Sequence, residues 1–97
     1  MYARVVRWEG ADAEAMKASV EQIRADAESG PPEGLPVKKL WVLHDLEGGK
    51  AMAITLFETE EDYWQGDATL NSMSPPGEGM GQRVGVDKYE LAIELDA

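Results

Sequence analysis

Apolar and polar positions follow two different periods along this chain, and the switches between them mark six elements. Tyr2 to Trp8 alternates and is rich in β-branched and aromatic side chains, which predicts a strand. Asp12 then offers an N-cap. Met16, Val20, Ile23 and Ala27 follow at spacings of four, three and four, so they share one helical face. Gly30 and Pro31-Pro32 stop that helix. Val37 to His44 reads as a second strand. Glu47-Gly48-Gly49 permits the positive φ of a tight hairpin. Ala51 to Phe57 is a third strand, apolar on both faces. Thr59 caps a second helix that runs to about Ser72 despite Gly66, and Ser74–Gly81 is a loop. Arg83 to Glu94 is a long final strand.

The order is β-α-β-β-α-β, the pattern of a split βαβ or ferredoxin-like α+β domain. It predicts a four-stranded antiparallel sheet with both helices on one face. A strand that is apolar on both faces is normally covered twice. The helices cover one face, and the other would expose some combination of Trp8 or Val5, Trp41, Phe57 and Tyr89. A monomer seldom leaves so large an apolar patch in water. A second copy packed sheet against sheet would cover it, so the expected assembly is a homodimer enclosing a barrel-like space. The spacing does not decide whether Arg4, Val6 and Trp8 or Ala3, Val5 and Arg7 face that space.

Composition narrows the function classes. Ninety-seven residues suffice for one domain, and 43% of them are apolar, an ordinary globular fraction. No apolar run is long enough for a membrane span, and MYARVVRWEG lacks the apolar core of a signal peptide. There is no cysteine, hence no disulfide and no thiolate chemistry; a cytoplasmic address fits. The net charge of −10 opposes nucleic acid and anionic membranes as partners. One histidine and no cysteine argue against a zinc site, and the acids lack calcium-loop spacing. Gly77–Gly81 has glycines but neither the lysine nor the strand-to-helix context of a phosphate loop. A Ser-His-Asp triad could use only His44, and no nucleophile elbow precedes a helix.

Three segments, MYARVVRW, HDLEGGKAMAITLFETEED and VDKYELAIEL, together resemble the dimeric α/β-barrel superfamily, in the branch of the antibiotic-biosynthesis monooxygenases. The middle one is the most specific. It ends a strand on an aromatic, Phe57, and opens a helix on an acidic stretch led by Thr59. The resemblance covers nearly the whole chain and implies the fold more firmly than the chemistry. It implies that the chain is a dimeric α/β barrel. Members of the superfamily include cofactor-free oxygenases, haem-degrading oxygenases, isomerases and proteins with no known reaction. The haem-degrading branch uses an Asn on the first strand, a Trp three residues beyond the aromatic that Tyr63 matches, and a His at the end of that helix. The first strand here has no Asn, position 66 is Gly, and the only histidine is His44, so no haem and no other cofactor is expected.

A cofactor-free oxygenase deprotonates an electron-rich phenol or anthrone, whose anion passes an electron to O2. It needs an aromatic-lined pocket, a proton acceptor and a cation for the developing oxyanion. Trp8, Trp41, Phe57, Tyr63, Trp64 and Tyr89 are the candidate lining for an aromatic small molecule. His44 is the candidate base, because an unperturbed imidazole ionises near ~6.5. Arg4 is the candidate cation, with Arg7 and Arg83 as alternatives. The plainer reading is a non-catalytic dimeric domain. In it His44 is a hairpin residue, the rings are packing, and Arg4 is paired with an acid. Tyr63 and Trp64 sit about 100° apart around a helix. One ring is therefore expected in the helix–sheet core and the other at a pocket mouth, with Gly66 leaving room beside Tyr63. A cavity of ~300 Å3 or more between sheet and helices, with His44 or an arginine pointing into it, would favour the enzyme.

Overall fold

The computed structural model of the chain describes residues 1–30, 34–72 and 81–96. Six elements follow in the expected order: β1 (Tyr2–Glu9), α1 (Ala13–Glu28), β2 (Lys39–Asp45), β3 (Lys50–Phe57), α2 (Glu60–Ser72) and β4 (Gln82–Glu90). The fold is α+β, with two helices and one open antiparallel sheet in the order β2-β3-β1-β4. Pro31-Pro32 and most of the expected Ser74–Gly81 loop lie outside the described residues.

Local chemistry sets the element ends. The Asp12 carboxylate accepts from the backbone N–H of Ala15, and the Thr59 hydroxyl accepts from that of Asp62. Each satisfies a donor that the first helical turn leaves open. Gly30 follows the end of α1 with φ of 89°, a conformation that glycine adopts at little cost. Between β2 and β3, Gly49 has φ of 65°, and the Asp45 carboxylate holds the turn by accepting from the N–H of Gly48.

Pairing fixes which side chains share a face. Val6 lies opposite Ala53 of β3 and Val86 of β4, and Ala53 lies opposite Val42 of β2. Side chains alternate along a strand, so Arg4, Val6 and Trp8 share a face with Ala51, Thr55 and Phe57. Both helices cover that face. Met16, Val20 and Ile23 of α1 pack against Val6, Trp8 and Ala51, at the hairpin end of the sheet. Tyr63, Gly66 and Asp67 of α2 meet Phe57 and Arg4 at the other end. Phe57 and Met16 are the largest fully buried side chains. Burying a side chain of this kind contributes ~1.5–3 kcal/mol.

Trp8 and Phe57 therefore belong to the helix–sheet core and not to the uncovered face. Val5, Arg7, Trp41, Leu43, Met52, Ile54 and Leu56 make up that other face. Val5 and Leu56 are buried even there, whereas Trp41, Leu43 and, on β4, Tyr89 are exposed. A bulge between Arg7 and Trp8 inserts Val84 between their partners, Gly85 and Arg83. The final strand is shorter than its alternation predicts. Tyr2 is the last β1 residue to pair, with Glu90, and one further bond runs from the N–H of Leu91 to the carbonyl of Met1. Among the described residues none pairs with 92–96, and Ile93 and Leu95 are 75% and 87% exposed.

The room expected beside Gly66 is occupied. A Cβ built there would lie 2.2 Å from Cε1 and 2.4 Å from Cζ of Phe57. Glycine within a helix costs ~1 kcal/mol relative to alanine, but overpacking a dense core costs ~1–3 kcal/mol. The fully buried Phe57 ring has nowhere to retreat. Gly66→Ala is therefore expected to destabilise the fold in urea titration. A net stabilisation would mean that the ring can move aside.

Candidate functional site

The residues expected to act together divide between the two faces of the sheet. On the helix side, Arg4 is 4% exposed. Its Nε donates to Oδ1 of Asp67 at 2.8 Å, and Nη2 donates to Oδ1 of Asn71 at 3.1 Å. Asn71 in turn donates to Oδ2 of Asp67 at 3.3 Å. Asp67 and Asn71 lie four apart on α2, and Tyr63 lies four before Asp67, so all three share the stripe that faces the sheet. Burial pushes the Tyr63 phenol above its ordinary range, and the negative charge of Asp67 adds to that shift. The guanidinium of Arg4 is thus held in a neutralising cluster beneath α2, as in the plainer reading of the sequence.

The space between sheet and helices is filled. Trp8, Met16, Phe57 and Tyr63 occupy it with relative exposures of 7% or less. Tyr63 meets Phe57 edge-on at 5.7 Å between ring centroids, and meets Trp64 edge-on at 5.1 Å. Trp64 remains 54% exposed. One ring is in the core and the other outside it, as the helical spacing predicts.

The opening lies on the opposite face. An open groove of about 450 Å3 crosses the uncovered side of the sheet at its hairpin end. Leu43, Met52 and Val84 line it with apolar surface, drawn from β2, β3 and β4, and Arg7 of β1 lines it with charge. His44 and Trp8 border it at the hairpin end, but both lie opposite Ala51, so their side chains belong to the helix side of the sheet. Arg7 forms an ion pair with Asp87 at 3.2 Å, and both side chains are nearly half exposed. Gly85 makes that pose possible, since a Cβ there would lie 2.7 Å from Nη2 of Arg7. Of the expected lining, Trp41 and Tyr89 share this face but sit on the two edge strands. Three inter-strand steps, about 14 Å, separate them.

A second cluster lies on the helix side, where α2 starts. Nζ of Lys88 is 4.8 Å from the ring centroid of Trp64, 5.2 Å from Tyr2 and 5.4 Å from Tyr63. Oε2 of Glu60 lies 3.1 Å from the same nitrogen. Lys88 lies 25 positions beyond Tyr63 with no local motif linking them, so sequence reading does not find it. Arg7 was within reach only as an alternative to Arg4, because either strand parity was open.

Among the described residues, no group of three or more His, Cys, Asp or Glu side chains is placed to hold a metal ion. No helix among them is long and apolar enough to cross a membrane. No protein-family model matches the chain, and no curated protein matches it significantly.

Proposed function

We propose that this chain is a ferredoxin-like, dimeric α/β-barrel protein that binds an aromatic or hydrophobic small molecule in the groove on its uncovered sheet face. The groove itself carries the reading: about 450 Å3, with an apolar bed of Leu43, Met52 and Val84 and a guanidinium at one wall. Ligand sites of this size with few polar groups are the common kind. The strand order supports the fold assignment, since from the β4 edge it reads 4-1-3-2, with each βαβ pair split by an inserted antiparallel strand. Exposed Trp41, Leu43 and Tyr89, together with Ile93 and Leu95, form the apolar surface that a second copy would cover. Packed sheet to sheet, that copy would roof the groove.

In this reading Arg7, rather than Arg4, faces the ligand, whereas the expected base His44 lies opposite Ala51 and is directed to the helix side of the sheet, bordering the groove only at its hairpin end. Cofactor-free oxygenation of an electron-rich phenol is the catalytic form of the proposal. The placement of Arg4 and most of the aromatic rings on the far side of the sheet favours the second form, binding without turnover.

Light scattering at micromolar concentration is expected to give twice the 10.6 kDa chain mass. Titration with an anthrone, followed by tryptophan fluorescence, is expected to saturate. Leu43→Asp places a charge in the apolar bed and should weaken that binding at least tenfold. A clean monomer with no saturable binding overturns the proposal. Oxygen uptake with the anthrone bound separates the catalytic form from the binding-only form.

A further inference from the structure

The cluster at the start of α2 has a chemistry of its own, separate from the groove. Three aromatic rings, Tyr2 from β1 and Tyr63 and Trp64 from α2, surround one ammonium nitrogen at 4.8 to 5.4 Å. The carboxylate of Glu60 completes the shell at 3.1 Å. Ring faces within about 6 Å of a cation attract it through their quadrupole, and several faces with an acid are the usual composition of an alkylammonium site. The nitrogen held here belongs to the chain, in a side chain that is 30% exposed.

We propose that Tyr2, Tyr63, Trp64 and Glu60 form an alkylammonium-binding cage whose resident ligand is Lys88, and that Lys88 acts as an internal plug competing with external quaternary or alkyl ammonium groups. The plug sets the affinity. A tethered group is present at an effective concentration of the order of mM, and an external ligand sees only the fraction of molecules whose cage is empty. The native cage is therefore a weak site, and it becomes a stronger one when Lys88 leaves. A quaternary ammonium is the favoured external ligand, because it carries no N–H groups to be stripped of water and presents methyl groups to all three rings. Occupation by such a ligand releases the β4 side chain from the first turn of α2 and leaves Trp64 in contact with the newcomer.

The probe is tetramethylammonium chloride, titrated against sodium chloride of the same ionic strength and read from the ring resonances of Tyr2 and Tyr63. Lys88→Ala is expected to bind the probe saturably and at least tenfold more tightly than the native chain. Lys88→Ala combined with Trp64→Ala is expected to lose that binding. Should Lys88→Ala fail to fold, Lys88→Thr suits a strand position and removes the ammonium and its stem alike. In the native chain, the ε-methylene protons of Lys88 are expected upfield of those of the other lysines, because three ring currents act on them. Equal affinity in the native and plug-free chains, no saturable binding in either plug-free variant, or an unshifted Lys88 resonance overturns the proposal.

Discussion

Asp67→Ala is expected to cost about 3 kcal/mol in urea unfolding, more than a surface ion pair would. Arginine stays protonated at any accessible pH, so removal of its acid cannot be answered by loss of a proton. The Arg4 side chain is 5% exposed beneath α2, with Nε on Asp67 and Nη2 on Asn71. Without Asp67 a guanidinium remains under the helix with one neutral partner. Breaking a buried pair on one side costs ~3–5 kcal/mol. The lower end applies because Asp67 is 23% exposed and water can reach the vacated place. Replacing both partners is different. Arg4→Met with Asp67→Leu removes two desolvated charges and fills the space with apolar atoms, so the double variant should fall within ~1 kcal/mol of the native chain. The two single changes are then strongly non-additive, and a double-mutant cycle measures their coupling. A loss below 1 kcal/mol for Asp67→Ala would mean that Arg4 is hydrated and not held by its acid.

The same pair shows where the sequence was legible and where it stopped. Periodicity gave all six elements because each carries its own local signal: alternation in β1 and β3, the Met16–Val20–Ile23 stripe in α1, and Asp12 and Thr59 as caps. Strand parity carries no such signal. Arg4 and Arg7 lie three apart on β1, so they face opposite ways, and only the helices decide which face is covered. Asp67 is 63 positions from Arg4, and nothing local connects them. A faint sign was present in α2. Tyr63, Asp67 and Asn71 recur at spacings of four, so a partly polar stripe faced the sheet and asked for a polar partner there. The final strand failed for a different reason. Its alternation continues through Leu91, Ile93 and Leu95, but a strand also needs a neighbour. Among the described residues, the pairing of β4 with β1 ends on the bond from the N–H of Leu91 to the carbonyl of Met1.

Tyr63 and Trp64 are adjacent in sequence, yet their removal is expected to differ by at least ~2 kcal/mol in denaturant unfolding. Tyr63 is 3% exposed and edge-on to the fully buried Phe57. Truncating an aromatic in such a site costs ~3–5 kcal/mol, because the transfer term and the residual cavity add. Trp64 is 54% exposed. Tyr63→Ala should therefore approach the upper range for single substitutions. Trp64→Ala loses one edge contact and one cation–π contact to Lys88, together worth about 1 kcal/mol at an exposed site. The expected functional consequence also changes once the faces are known. Trp64 lies on the helix side, whereas the groove crosses the opposite face of the sheet. Trp64→Ala should therefore leave anthrone binding in the groove within twofold of native, while it removes a wall of the Lys88 cage. A large loss of anthrone affinity in Trp64→Ala, with the fold intact by circular dichroism, would place the ligand against α2 instead. Equal destabilisation by both substitutions would mean that the Trp64 ring is as much a part of the core as Tyr63.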